Sequence, residues 1–217
     1  MKTPVRQSAS IWPPLPGTAP GMRIGLYGGS FNPPHKGHAH VSDIALKRLG
    51  LDRLWWLVTP GNPLKNHSEL APLENRMAAA QALTHDPCIE ILSIEADIGV
   101  SRSLDTVQWL KRRLPPVRFV WVMGADNLAG FHRWHGWRQI AELLPIAVID
   151  RPGYTQKALA SPAARKLDRF RLQERDAQML CGTVPPAWVF LRAPLNPLSS
   201  TLLRANGAGA AEKAQIA

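Results

Sequence analysis

Short apolar runs alternate with longer segments of helical periodicity along most of this chain. Met22–Tyr27, Arg53–Thr59, Ile89–Ile94, Val117–Met123, Ile146–Ile149 and Trp188–Leu191 read as buried strands. Ala39–Leu49 reads as an amphipathic helix. Pro72–Leu83 repeats apolar residues at Leu73, Met77, Ala80 and Leu83, with Pro72 at the first turn. Leu104, Val107, Leu110 and Leu114 fall on one helical face; Ser101 or Ser103 is a candidate cap, and Pro115-Pro116 stops the helix. Trp137–Leu144 is a short helix, and Ser199–Arg204 opens a terminal one. Tyr154–Leu180 is charged and helical in tendency.

Strands separated by helices imply βαβ units. The expected fold class is α/β: a Rossmann-like, doubly wound parallel sheet with helices on both faces. Ligands of such sheets sit beyond the carboxyl ends of the strands, where the strand order reverses. The segments that follow strands here are Gly28–His38, Pro60–Lys65, Gly124–Asp126 and the stretch around Ser199. They are expected to converge on one edge.

At 217 residues the chain can bury one substantial core. The expected organisation is a single domain over 22–206. A disordered Pro-rich extension over 1–21 precedes it, and a flexible tail over 207–217 follows. No apolar run approaches the roughly 20 residues needed to span a bilayer. The first 21 residues hold five prolines and no apolar core of the kind a secretory signal carries. The two cysteines, Cys88 and Cys181, show neither pairing nor metal spacing, so free thiols and a cytoplasmic location are expected. The net charge of +10 raises the question of nucleic acid. Apart from Lys111-Arg112-Arg113 and 165–175, however, the basic residues are dispersed; those two clusters read as solvated helix faces first, as attractors of anionic small substrates second and as a nucleic-acid surface third.

The candidate chemistry concentrates in two stretches. Gly28-Gly29-Ser30-Phe31-Asn32-Pro33-Pro34-His35-Lys36-Gly37-His38 is a glycine-rich turn between a strand and a helix. Such a turn offers backbone N–H groups to an anion, and its glycines allow close approach and positive φ. His35 and His38, three apart, can then face the same anion. In the second stretch, Ser199, Ser200 and Thr201 start a helix with Arg204 one turn on, so hydroxyls and a guanidinium fork suit a polyphosphate. Lys65, in a proline-bounded loop, is within reach of the same charge.

The run His35-Lys36-Gly37-His38 resembles the His-x-Gly-His signature of the nucleotidyltransferase superfamily, and Ser199–Arg204 is similar to its late serine-rich motif. Gly124-Ala125-Asp126-Asn127-Leu128 with Trp134 and Trp137, Arg151-Pro152-Gly153-Tyr154, and Ser101–Thr106 resemble the nicotinate-nucleotide adenylyltransferase family within it. That resemblance spans roughly Met22 to Arg204. The 154–180 stretch falls outside it, and Arg102-Ser103 stands where the family more often has Tyr-Thr.

The resemblance implies adenylyl transfer from ATP to nicotinate mononucleotide, with Mg²⁺ carried by ATP, no metal held by the protein, and no nucleic-acid or membrane partner. It implies ATP contacts from Gly28, Gly29, Ser30, Phe31, His35, His38, Gly124, Asp126, Ser199, Ser200, Thr201 and Arg204. His35, His38, Lys65 and Arg204 act on the phosphates. Ser103 and Thr106 meet the nicotinate carboxylate, and Arg133 and Trp134 meet the ring. Two other readings are open. Phosphopantetheine adenylyltransferase shares the histidine signature but lacks the aromatic pair after Gly-x-Asp-Asn-Leu. A basic nucleic-acid-binding module uses the charge and explains none of the loop motifs.

Overall fold

The computed structural model describes residues 13–61 and 70–192. Lys65 and Ser199–Arg204 lie outside them, as does the terminal helix expected there. Seven strands form one sheet: β1 (Arg23–Gly29), β2 (Arg53–Val58), β3 (Ile89–Leu92), β4 (Arg118–Gly124), β5 (Ile146–Ile149), β6 (Arg171–Leu172) and β7 (Trp188–Leu191). Their spatial order is β3-β2-β1-β4-β5-β7-β6, and every neighbouring pair is parallel. The order reverses between β1 and β4, so the expected doubly wound architecture is present.

Strand alternation divides the core into two. On one face Ile24, Leu26, Trp55, Leu57, Phe119, Trp121 and Trp188 pack beneath α4 (Ser103–Arg113), α5 (Ala125–Gly130) and α6 (Trp137–Leu143). On the other, Tyr27, Leu54, Trp56, Val120, Val122 and Val189 pack beneath α1 (Lys36–Leu49) and α2 (Leu73–Leu83). All-parallel strands are covered on both sides, which is why they read as near-continuous apolar runs.

The structure departs from the expected elements at several points. α1 begins at Lys36, three residues ahead of Ala39, because His35 caps it. β3 ends at Leu92, and the chain turns into the one-turn α3 (Ile94–Asp97), burying Ile94 and Glu95. α4 is capped by Arg102 without a side-chain bond, so neither Ser101 nor Ser103 serves as its cap. The 154–180 stretch breaks into α7 (Thr155–Leu159), α8 (Pro162–Leu167), two 3-10 segments and the two-residue β6. Ala177 and Leu180 within it, and Cys181 just after it, bury against the α1 side, and Arg48 pairs with Glu174 at 3.1 Å. Ahead of β1, Leu15 rests against the core and the Gly21 N–H donates to the Pro116 carbonyl at 2.8 Å, so packed structure begins before residue 22.

A polar chain fastens α1 to the sheet. The Trp56 indole N–H donates to Ser42 Oγ at 2.8 Å, and that hydroxyl donates to the His38 carbonyl at 2.9 Å. Both side chains are fully buried. Ser42→Ala would orphan the indole N–H, and a buried donor without a partner costs about 1–3 kcal/mol. Urea unfolding should show a loss of that size; an unchanged midpoint would mean that the indole finds another acceptor.

Candidate active site

The two histidines meet at the start of α1, beyond the carboxyl end of β1. His35 is the N-cap, and its Nδ1 accepts the Gly37 N–H at 3.1 Å. His38 Nδ1 accepts the His35 N–H at 3.2 Å. The pair makes a reciprocal capping box of imidazoles rather than of hydroxyl and carboxylate. With both Nδ1 atoms accepting, each proton resides on Nε2. The ring centroids stand 3.9 Å apart.

Both rings are nearly sealed from solvent, 3% and 8% exposed. Burial, aided by the Arg151 charge, pushes His35 down to about 3. Burial, the neighbouring His35 and Arg151 hold His38 well below its ordinary range. Both are therefore neutral donors at physiological pH.

The turn that leads to them differs from expectation in one respect. Gly28 and Gly29 end β1, and the positive φ falls on Phe31, at 47°. A non-glycine in this conformation needs support from its surroundings. Phe31 stacks on Trp56 with centroids 4.8 Å and planes 9° apart, meets Tyr27 edge-on, and touches the His38 ring at 4.8 Å. The glycine at 28 serves close approach instead: a Cβ there would press on the Trp121 ring at 3.1 Å.

Two buried arginines, neither anticipated as a site residue, frame the turn. Arg76 of α2 is 2% exposed. It donates to the Ser30 carbonyl at 2.7 Å, to Thr59 at 2.8 Å and to Ala71 at 2.8 Å, tying the loop after β1 to the loop after β2. Asn32 joins the same junction by accepting the Ala71 N–H at 3.2 Å. The sequence carried a signal for Arg76. It lies three residues after Leu73 and four before Ala80, a charge on the apolar stripe.

Arg151, just past β5, donates to the Tyr27 hydroxyl at 3.4 Å and faces Asp126 at 3.7 Å. Burial opposes its charge, but Tyr27 and Asp126 outweigh burial and raise its pKa. Burial also pushes Tyr27 up to about 12, so its hydroxyl stays neutral. Gly124 is the residue that fits between these groups: a Cβ there would collide with the Asp126 carboxylate and stand 3.0 Å from Arg151 Nε.

The remaining expected site residues fall on the opposite face. Ser103 opens α4. The N–H groups of Asp105 and Thr106 are taken by the Arg102 carbonyl, while those of Ser103 and Leu104 find no acceptor among the described residues. Thr106 is fully buried, with its hydroxyl 3.4 Å from the Arg102 carbonyl at the turn that opens α4. Trp134 is half-buried, edge-on to Phe131 at 5.4 Å and to Trp121 at 6.2 Å. Arg133 is exposed and folds its guanidinium over Gly130. Among the described residues no three His, Cys, Asp or Glu side chains come together as a metal cage.

The cytidylyltransferase-like family model matches residues 26–206. A protein of Agrobacterium fabrum described as a "probable nicotinate-nucleotide adenylyltransferase" is 56% identical over 185 residues, covering 85% of this chain and 99% of the relative. One of Methylorubrum extorquens with the same description is 57% identical over 183 residues, covering 84% and 99%. The chain belongs to this family, among its nicotinate-nucleotide adenylyltransferases. The Plasmodium falciparum nicotinic acid mononucleotide adenylyltransferase complexed with NaAD shares the fold, with TM-score 0.65, 16% identity, and coverage of 85% of this chain and 83% of that one. The same enzyme complexed with APC gives TM-score 0.63.

The buried histidines make the fold sensitive to acid. Above the ordinary histidine pKa of 6.5 both folded and unfolded chains hold neutral His35. Below 6.5 the unfolded chain takes up a proton that the folded chain refuses until about 3, so stability falls across that window. Between pH 7.5 and pH 5 the loss is about 2 kcal/mol for this one group. His35→Asn keeps a capping side chain and should shrink the acid loss by that amount in urea titrations at the two pH values. An identical loss in the variant would assign it to other groups.

Proposed function

We propose that the chain transfers the adenylyl group of ATP to nicotinate mononucleotide, giving nicotinate adenine dinucleotide and pyrophosphate. The observation that carries this reading is the pair of neutral imidazoles whose Nδ1 atoms are both held by backbone N–H groups. Each Nε2–H is left to donate to phosphate oxygens at a helix N-terminus. The names of the relatives supply the acceptor.

The acceptor's 5′-phosphate attacks the α-phosphorus of ATP. One P–O bond forms, the bond to the β,γ-pyrophosphate breaks, and no proton needs to be removed, because a phosphate monoester with a second pKa near 6 is already largely dianionic. His35 and His38 therefore act as donors and not as bases. They stabilise oxygens whose charge shifts in the transition state. Arg151 adds a buried positive charge that both histidines sense. Asp126 orders that arginine.

Gly28, Gly29, Ser30, Phe31 and Gly124 bring the backbone close to the nucleotide. In this reading Lys65, Ser199, Ser200, Thr201 and Arg204 neutralise the triphosphate. Mg²⁺ enters as part of the MgATP substrate, coordinated by nucleotide oxygens and water. The ring carboxylate meets the N–H groups of Ser103 and Leu104, which have no acceptor among the described residues, and Trp134 with Arg133 meets the ring. An amide in place of the carboxylate would set its NH₂ against those donors, which disfavours nicotinamide mononucleotide. We infer a cytoplasmic location, in keeping with the free thiols of Cys88 and Cys181.

The test is pyrophosphate release from MgATP with nicotinate mononucleotide, nicotinamide mononucleotide and phosphopantetheine offered in parallel. Release with the nicotinate form alone is expected. Release only with phosphopantetheine would discard the acceptor assignment. His38→Ala should lower kcat by about 10²–10³ while KM for ATP changes less than about threefold; unaltered turnover would remove the role given to His38.

A further inference from the structure

Arg76 closes the first turn of α2 and is a buried cation that the proposed reaction does not use. Among the described residues, every hydrogen bond of its guanidinium goes to a main-chain carbonyl. Nη1 donates to Ser30 at 2.7 Å and to Thr59 at 2.8 Å, Nε donates to Ala71 at 2.8 Å, and Nη2 reaches Pro60 at 3.5 Å. The Thr59 and Pro60 carbonyls lie where the chain leaves β2, that of Ala71 just ahead of α2, and that of Ser30 in the turn after β1. A guanidinium can serve all of them because its donors diverge within one rigid plane. An ammonium on a flexible stem is a point donor and cannot span the same segments.

The bond to Ser30 acts on the next residue. The Ser30–Phe31 peptide is trans and planar, so a carbonyl turned toward Arg76 sends the Phe31 N–H the opposite way, away from the loop after β2. The N–H groups of Ser30 and Phe31 find no acceptor among the described residues. Phe31 is also the residue held at φ 47°, a backbone that its surroundings must keep in place. The stack on Trp56 holds its ring, and Arg76 holds the peptide before it.

We infer that Arg76 is a positioning residue for ATP: its grip on the Ser30 carbonyl fixes the plane of the Ser30–Phe31 peptide and so aims the Phe31 N–H at the nucleotide. The inference rests on the reading that the turn over 28–31 receives ATP. The start of α4, where that reading puts the acceptor's ring, lies on the other face of the sheet from α2 and shares no hydrogen bond with Arg76 among the described residues. His35 and His38 keep their own capping bonds within α1. Arg76 therefore bears on the binding of one substrate, and neither on the other substrate nor on the chemical step.

The test compares wild type with Arg76→Lys and Arg76→Met. KM for MgATP, KM for nicotinate mononucleotide and kcat come from pyrophosphate release. Calorimetry gives Kd for a non-hydrolysable α,β-methylene analogue of ATP. Arg76→Lys keeps the charge and loses the fork. It should raise KM for MgATP and Kd for the analogue about tenfold, the scale of one lost hydrogen bond, with the acceptor KM and kcat within about threefold. Arg76→Met should raise both by at least as much, and Arg76→Lys carries the test if Arg76→Met fails to fold. KM and Kd do not depend on the folded fraction of a preparation, so a loss of stability alone would leave them unmoved.

An unchanged KM for MgATP in Arg76→Lys, in an enzyme that turns over, would overturn the inference alone. So would an equal rise in the acceptor KM. A wild-type enzyme that fails to bind the analogue would remove the underlying reading, and the inference with it.

Discussion

Two backbone N–H groups held by imidazole nitrogens set the character of this site. An N-terminal turn normally finds its caps in serine, threonine or aspartate. Here Gly37 and His35 find them in the Nδ1 atoms of His35 and His38. The consequence is chemical as well as structural. Nδ1 is spent on the helix, the proton is confined to Nε2, and each ring becomes a donor of fixed direction. Burial keeps the rings neutral, since a cation in this place would lose its hydration and face Arg151. The His38 ring also walls the aromatic cluster of Phe31, Tyr27 and Trp56 that holds the left-handed turn.

That local constraint needs a rigid frame, and the frame is made of buried cations and sheet order. A buried guanidinium is tolerated only when its donors are satisfied. Arg76 spends its donors on carbonyls of three different segments, so none of the three can shift alone. Arg151 faces the Tyr27 hydroxyl and Asp126 across the gap where strand order reverses. A parallel sheet opens a crevice at that reversal. Arg76 braces the loops after β1 and β2 on one side of that reversal, and Arg151 stands just past β5 on the other.

Much of this was legible in the sequence, for identifiable reasons. The parallel sheet was readable because strands buried on both faces show uninterrupted apolar runs such as Val120–Met123. The histidine turn was readable because its spacing is local. What escaped were interactions between segments distant in sequence. Arg76 contacts Ser30, 46 residues away, and Arg151 contacts Tyr27, 124 residues away. β6 has two residues and no periodicity to betray it. The expected strand ending at Ile94 concealed Glu95, because an apolar residue closing a strand and one opening a buried helical turn look alike. Phe31 defeated the rule that a positive φ falls on glycine, because its aromatic neighbours hold it there.

The two faces of the sheet divide the labour, and the division bears on why the histidines are neutral. Elements of the α1 face supply His35 and His38, and elements of the α4 face supply Ser103, Leu104, Thr106 and Trp134. On the proposed reading, the reacting phosphates lie over the strand ends between them. A pair of imidazolium cations would hold ATP strongly before any bond changed, and such uniform binding lowers KM without raising kcat. Neutral N–H donors are weaker partners for the ground-state triphosphate. Their contribution grows as charge moves onto the oxygens they face, so more of their interaction is reserved for the transition state. The capping bonds that fix the Nε2–H tautomer also keep those donors aimed while the charge shifts.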